Sequence, residues 1–89
     1  MLKEKLLVVN DHFQLQYEEV QNCFVLLYPE GMVQLNQSAG EIMNLCTGEY
    51  NLSQIVELLE RKFDISDLEK EIEAFLTEAI KRKWIEYAK

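Results

Sequence analysis

One turn signal in the first half of the chain constrains the fold most. The segment Tyr28-Pro29-Glu30-Gly31 holds the only proline of the 89 residues and one of the three glycines. Proline suits the second position of a turn, and glycine suits the left-handed residue that often follows a type I hairpin turn. The segment before the turn is apolar and the segment after it is half polar. The sequence therefore predicts an antiparallel hairpin around this turn.

The segments around the turn predict a three-stranded meander. Residues 23–28 are apolar at every position, as is typical of a central strand covered on both faces. Residues 13–18 alternate between apolar and polar side chains, which predicts a half-buried strand. The third strand lies at an edge of the meander and consists of Met32, Val33, Gln34, Leu35 and Asn36. Val33 and Leu35 point to one face and the other three to the opposite face.

Two amphipathic helices are predicted after the meander. Asn36 or Ser38 can cap the first helix, and Gly48 is expected to end it. The second helix is predicted to open at Asn51 or Ser53. Each helix repeats apolar residues at a spacing of three and four, so each is expected to bury one face.

A third helix has a capping-box spacing at its start, Ser66-x-x-Glu69. It carries a broad apolar stripe, formed by Leu68, Ile72, Phe75, Leu76, Ala79 and Ile80. Residues 84–87 are predicted to form either a last short strand or a packed tail. The order of elements indicates an α+β domain with a winged-helix-like arrangement, a three-stranded antiparallel meander followed by three helices. It spans residues 13–89, after an N-terminal arm of residues 1–12.

Charge argues against a nucleic-acid partner. The chain has 16 acidic and 9 basic residues, a net charge of −7, whereas phosphate binding needs clustered cations. The basic clusters, residues 61–62 and 81–83, lie near predicted helix C-termini, where they offset the helix dipole. The apolar run at residues 6–9 is too short for a signal peptide or a membrane span. We therefore expect a cytoplasmic protein with no membrane partner.

No set of residues indicates catalysis. His12 is the only histidine, and it has no plausible nucleophile near it in the sequence. Cys23 and Cys46 stand apart without a C-x-x-C spacing, so a metal or redox site is not expected. A glycine-rich phosphate loop is also missing from the sequence. These observations predict a protein that is not an enzyme and that holds no cofactor or metal.

The third strand predicts a binding role instead. An edge strand exposes unpaired N–H and C=O groups, and lysine, proline or a bulge usually guards it. Residues 32–36 contain no charge and no proline. An unguarded edge beside the apolar stripe of the third helix is how a domain binds an extended peptide by strand addition. The alternative is that the edge is covered by the domain's own arm or by a second copy. The sequence does not say which alternate residues of the strand turn their N–H groups outward.

The same stretch carries a family motif. The sequence holds Tyr28-Pro29-Glu30-Gly31-Met32-Val33, Leu35-Asn36, Ser38-Ala39, Ile42, Leu45-Cys46, Gly48 and Ile55-Val56. This pattern resembles the PqqD family of pyrroloquinoline quinone biosynthesis, over residues 13 to about 85. Departures are mild: Met43 stands where leucine is common, and Gln34 stands where a charged residue is frequent. The N-terminal arm matches no part of the motif.

The resemblance implies a function. PqqD-like proteins are RiPP recognition elements, domains that bind precursors of ribosomally made, post-translationally modified peptides. They bind the precursor peptide PqqA and deliver it to the radical S-adenosylmethionine enzyme PqqE. Carried over, the pairing edge is residues 32–36, and the candidate groove residues on the third helix are Ile72, Phe75, Leu76 and Ala79. Two alternatives remain open: a recognition element of another modified-peptide pathway, and a winged-helix regulatory or DNA-binding domain.

Overall fold

The computed structural model describes residues 4–88, so residues 1–3 of the predicted arm and residue 89 of the predicted domain lie outside the described residues. In chain order, its strands are β1 (Leu7–Val9), β2 (Gln14–Glu18), β3 (Cys23–Tyr28), β4 (Gly31–Gln34) and β5 (Ile85–Tyr87). The helices α1 (Gln37–Asn44), α2 (Leu52–Phe63) and α3 (Glu69–Lys81) lie between β4 and β5. The α+β prediction is confirmed, with the meander and then the three helices in the expected order.

The meander has the strand order β2-β3-β4, all antiparallel. Tyr28 pairs with Gly31, so Pro29 and Glu30 form a two-residue hairpin loop. Gly31 is thus the first residue of β4 and not a left-handed turn residue, since its φ is 158°. The predicted third strand also ends earlier than expected, because Asn36 leaves the strand to cap α1.

A second, two-stranded sheet joins the two ends of the described chain. Leu7 pairs with Tyr87 and Val9 with Ile85, so β1 and β5 run antiparallel. Of the two possibilities for the tail, the strand is the one observed. The predicted arm contributes β1, and the Leu7 side chain is fully buried in the core. The opposite side of β1 is held by the segment after α1, since the N–H of Leu7 donates to the Tyr50 carbonyl at 3.0 Å.

Helix caps agree with the sequence at two of three sites. Asn36 caps α1 through Oδ1, which accepts the N–H of Ala39 at 2.8 Å. Asn51 and Gln54 form a reciprocal capping box at the start of α2. The predicted Ser66 capping box is wrong, because α3 begins at Glu69 with no side-chain bond from its own cap position. The predicted stop at Gly48 is also too late, as α1 ends at Asn44.

The core lies between the meander, the helices and the second sheet. Its fully buried members come from every layer, including Leu7, Leu26, Leu52, Ile55, Leu76 and Ile85. The helix α1 approaches β3 closely at Gly40, where an added Cβ would lie 2.6 Å from a ring carbon of Phe24. Glycine is therefore needed at this contact. The contact fixes α1 against the meander, directly after β4, and so sets the geometry of the surface described next.

Candidate functional site

The strand β4 forms one edge of the meander. Its neighbour on one side is β3, and the described residues place no strand on its other side. The N–H of Leu35, which follows β4, donates to the Phe24 carbonyl at 2.9 Å. In an antiparallel ladder, both backbone groups of a residue point to the same side, and successive residues alternate. Gln34 pairs with Val25 and Val33 with Leu26, so the register has no bulge. The same alternation therefore applies to every residue of β4.

It follows that Leu35 and Val33 turn their backbone groups toward β3. Met32 and Gln34 turn theirs away from the sheet. We call the backbone groups of Met32 and Gln34 the open edge. The two-residue alternation along this strand could be predicted from sequence, but its phase depends on pairing with β3 and becomes visible only in the structure.

Side chains on β4 divide between the two faces as predicted. Val33 is half-buried and Leu35 is buried, and both pack against the core beneath the helices. Met32 is 53% exposed on the opposite face. Gln34 lies on that face too, and its Nε2 donates to Cys23 Sγ at 3.4 Å. The open edge therefore carries no charged side chain that would guard it against another strand.

The fifth predicted edge residue, Asn36, has a different role. Its side chain caps α1, and its carbonyl accepts the N–H of Gly40 at 2.9 Å. Because both groups are used by the helix, Asn36 ends the strand and does not extend the open edge. Of the five residues predicted from sequence, Met32 and Gln34 are the two strand residues whose N–H and C=O groups point to the side of β4 where residues 4–88 place no strand.

A cleft of about 280 Å³ begins at Gln37, the first residue of α1, three residues after the end of β4. It is bounded by the first turn and a half of α1, the end of α2, the α2–α3 turn and the start of α3. The lining residues are Gln37, Ser38, Glu41, Ile42, Leu59, Phe63, Ile65, Leu68, Glu71 and Ile72. We refer to this feature as the cleft. Its floor is formed by core residues, whereas Phe63 and Ile65 are 37% and 52% exposed at its wall.

The four groove residues predicted on α3 lie in different places. Ile72 is 3% exposed and lines the cleft. Leu76 and Ala79 are fully buried in the core, so a peptide could reach neither without opening the domain. Phe75 is half-buried against the core and does not line the cleft. Of these four residues, Ile72 is the one that lines the cleft, so the cleft adjoins the start of α3 and not its whole length.

Sequence reasoning missed Phe63 and Ile65 as surface residues. Phe63 continues the apolar spacing of α2, which does not separate it from buried residues, and Ile65 lies in the short turn between α2 and α3. A signal was present, because an isoleucine in a turn between two helices, flanked by Asp64 and Ser66, is not needed to form the turn. Exposed apolar residues grouped around a concave surface are typical of binding sites.

Charged groups at the cleft are mainly carboxylates. Glu41 forms an ion pair with Lys62, whose Nζ lies 2.8 Å from Glu41 Oε1. Glu71 is exposed at the rim of the cleft. Deeper in the fold, Glu60 Oε2 accepts the N–H of Leu68 at 3.0 Å. This bond satisfies the start of α3 in place of the predicted serine cap, and it fixes the α2–α3 turn that forms the wall of the cleft.

Groups suited to covalent or metal chemistry are not assembled at this surface. Burial raises the pKa of the Cys46 thiol to about 12, so this side chain remains a neutral core residue at physiological pH. Cys23 is half-buried on the outer face of the meander. Within residues 4–88, no cluster of His, Cys, Asp and Glu has the geometry to hold a metal ion. Over the same residues, no helix is long and apolar enough to cross a membrane.

An open edge strand next to an apolar cleft is typical of domains that bind an extended segment of another chain. Comparison with known proteins agrees with this class. The family model described as coenzyme PQQ synthesis protein D matches residues 23–85. A PqqA binding protein of Methylococcus capsulatus is 43% identical over 82 residues, covering 92% of this chain and 88% of that protein. The PqqA binding protein of Pseudomonas aeruginosa is 47% identical over 75 residues, covering 83% and 82%.

Solved structures show the same fold. The solution structure of the PqqD truncation of Methylobacterium extorquens PqqCD, described as a stand-alone RiPP recognition element, matches with a TM-score of 0.76. The match has 26% identity and covers 94% of this chain and 92% of that one. The heterocyclase TruD contains the same fold within 12% of its chain, at a TM-score of 0.72 and 24% identity. The chain belongs to the PqqD family.

Proposed function

We propose that this protein binds a PqqA-like precursor peptide by strand addition at the open edge. We further propose that it presents the peptide to a radical S-adenosylmethionine enzyme of the PqqE type in pyrroloquinoline quinone biosynthesis. The observation that carries the proposal is that the backbone N–H and C=O groups of Met32 and Gln34 point away from β3. They do so on a strand that contains no charged residue and no proline. These residues offer two N–H and two C=O groups, spaced to pair with every second residue of an extended chain.

The cleft supports the same proposal. A strand added to β4 and continuing past Gln34 approaches Gln37 and Ser38, which form one lip of the cleft. The backbone ladder would give affinity independent of peptide sequence, and the cleft would add selectivity through side chains. The names of the relatives from Methylococcus and Pseudomonas, both PqqA binding proteins, support PqqA as the kind of peptide bound.

A carrier role without catalysis is consistent with the chemistry of the surface. The side chains of Met32 and Gln34 are an apolar thioether and an amide, which can contact a peptide but do not activate bonds. The relatives are likewise named as binding proteins and as a recognition element. The bond-forming step would therefore belong to the partner enzyme, and this chain would supply the peptide in a fixed, extended conformation.

The two alternatives differ in charge and in partner. A DNA-binding role would place α3 against phosphates, yet this helix carries Glu69, Glu71, Glu73 and Glu78 against two lysines. The net charge of −7 acts in the same direction. A recognition element of another peptide pathway would use the same edge, so only the identity of the peptide separates it from our proposal.

Titration calorimetry with a synthetic PqqA-like precursor peptide tests the proposal. We expect a dissociation constant on the order of micromolar or lower, about −8 kcal/mol, and an unchanged peptide mass after incubation. Binding of an unrelated precursor peptide, with no heat from the PqqA-like one, would assign the chain to another pathway. A salt-dependent gel shift with duplex DNA at physiological ionic strength would instead support the regulatory alternative.

A further inference from the structure

The cleft lies at the small end of the size range of ligand pockets. Its volume of about 280 Å³ is below the 300–1,000 Å³ typical of pockets for cofactors and drug-sized ligands. Ile72 is one of the buried residues of its floor, and Phe63 and Ile65 leave apolar surface open at its wall. One large aliphatic or aromatic side chain would cover this surface. Burying such a side chain favours binding by about tenfold or more.

The rim of the cleft has an unequal charge distribution. Two carboxylates lie there, Glu41 and Glu71. Glu41 is already neutralised by Lys62, whose Nζ lies 2.8 Å away and whose chain also covers the Phe63 ring at 5.6 Å. Glu71 has no ion pair within residues 4–88. The cleft therefore offers one unneutralised negative charge directly beside an apolar pocket.

We propose that the cleft selects a two-part signal in the bound peptide, a large apolar residue in the pocket and a lysine or arginine close to it in sequence that pairs with Glu71. This inference rests on the proposed function and adds a specificity element to it. Backbone hydrogen bonds at the open edge do not depend on the peptide sequence. A charge beside the cleft would therefore determine which segment of a peptide is bound. It would also set the register of that segment along β4.

The test is a charge-swap cycle measured by calorimetry with the PqqA-like precursor peptide. In the peptide, each lysine or arginine is changed singly to glutamine and to glutamate. In the protein, Glu71 is changed to Gln and to Lys. We expect one basic residue whose neutralisation weakens binding about two- to fivefold in the wild-type protein, as is usual for an exposed ion pair. The same peptide change should have no effect in Glu71→Gln.

Rescue provides the sharper result. Glu71→Lys combined with the matching peptide Lys or Arg→Glu should restore affinity to within about twofold of wild type. High salt should remove the difference between wild type and Glu71→Gln, because exposed pairs are screened. Glu86→Gln is the matched control, since it removes one charge from β5, which does not line the cleft. Glu71 also stabilises α3, because a carboxylate in the first turn of a helix is favourable. Thermal melts of each variant therefore distinguish a loss of stability from a loss of peptide affinity.

The apolar half is tested in parallel. Alanine replacement of each large apolar peptide residue should identify one, within a few positions of the basic residue, whose loss weakens binding about tenfold. Binding of the wild-type peptide without any basic residue coupled to Glu71 would overturn the inference and leave the proposed function standing. Absence of any binding by the wild-type protein would overturn the proposed function itself, and the inference with it.

Discussion

The meander has two edges, β2 and β4, which differ in the surfaces beside them. Both β2 and β4 pair with β3 on one side and have no strand on the other side among the described residues. Phe24 and Leu26 turn their backbone groups toward β4, so their partners on β2, Tyr17 and Leu15, have backbone groups that point outward. The outward groups on β4 are those of Met32 and Gln34. The two edges therefore expose the same kind of hydrogen-bonding groups, and backbone geometry alone does not distinguish them.

Their surroundings differ. The Tyr17 ring packs edge-on against Phe24, with the ring centroids 5.1 Å apart, and its hydroxyl donates to Asn22 at 3.0 Å. The recess at the start of β2 is lined partly by exposed Asp11 and His12. In contrast, β4 leads into a cleft with an apolar floor. An unpaired edge is thus common to both sides, and within residues 4–88 β4 is the edge that leads toward a cleft with a floor of buried core residues.

The largest effect is expected from a proline on the paired side of β4. Val33→Pro removes an N–H that faces β3 and leaves the Leu26 carbonyl opposite it without its ladder bond. Loss of a buried bond, together with the distortion of the strand, should lower the free energy of unfolding by about 2–3 kcal/mol. For a domain of this size the midpoint should fall by about 10–20 °C in thermal melts. Val33→Ala controls for the lost side chain, and an equal loss in both variants would contradict the assigned phase.

The second effect separates the two edges directly. Gln34→Pro removes an N–H that points away from β3, so the fold should survive. Peptide affinity should fall about five- to tenfold, because one lost hydrogen bond reduces the binding free energy by about 1 kcal/mol. Met32→Pro should act in the same way. Gln34→Ala controls for the bond to Cys23. At the other edge, Tyr17→Pro should match Tyr17→Ala in peptide affinity. A stronger loss from the proline at Tyr17 than at Gln34 would move the site to β2.

Features of the fold that depend on residues close together in the sequence could be predicted, and features that depend on distant residues could not. The meander, its turn and the Asn51 cap follow from neighbours in sequence, and all three are observed. The pairing of β1 with β5 joins residues 7–9 to residues 85–87. No local pattern encodes such a pairing. The cap of α3 failed for the same reason, since its acceptor is Glu60, eight residues before Leu68.

The candidate edge follows from a local pattern in the sequence, whereas the division of α3 residues between the core and the cleft does not. The absence of charge and proline in β4 is a local property, so the edge could be proposed from sequence. A helical apolar stripe, however, has the same period whether it faces a core or a groove. Leu76 and Ala79 belong to the core, while Ile72 reaches the cleft. Only the positions of α1 and the α2–α3 turn decide between these outcomes.

A third prediction concerns the wall that makes the β4 side distinctive. Glu60→Gln weakens the charge-assisted bond to the N–H of Leu68, which secures the start of α3 and the turn containing Ile65. We expect a stability loss of about 1 kcal/mol, measured by urea unfolding, with a smaller loss of peptide affinity. Glu57→Gln is the matched control on the same helix. Among the described residues its carboxylate pairs with exposed Arg61 alone, so the loss should not exceed about 0.5 kcal/mol. Equal losses in both variants would show that the bond to Leu68 does not secure the turn.

The smallest effect tests whether the peptide is held by side chains on the outer face of the sheet as well as by backbone. Met32 is 53% exposed on that face and has an outward N–H, so an added strand would place a residue directly opposite it. Cross-strand pairs of this kind contribute about 0.2–1 kcal/mol relative to alanine. Met32→Ala should therefore leave the melting temperature unchanged and weaken peptide binding by no more than about fivefold in calorimetry.

Val20→Ala is the control for this last change, since Val20 is 92% exposed in the β2–β3 turn and belongs neither to β4 nor to the lining of the cleft. It should alter neither stability nor affinity. If Met32→Ala has no effect while Gln34→Pro weakens binding, the peptide is held at this strand through backbone alone, and selectivity rests with the cleft. If Met32→Ala weakens binding more than Gln34→Pro does, the main contact is with the outer face of the sheet. Strand addition at β4 would then be the wrong description of the complex.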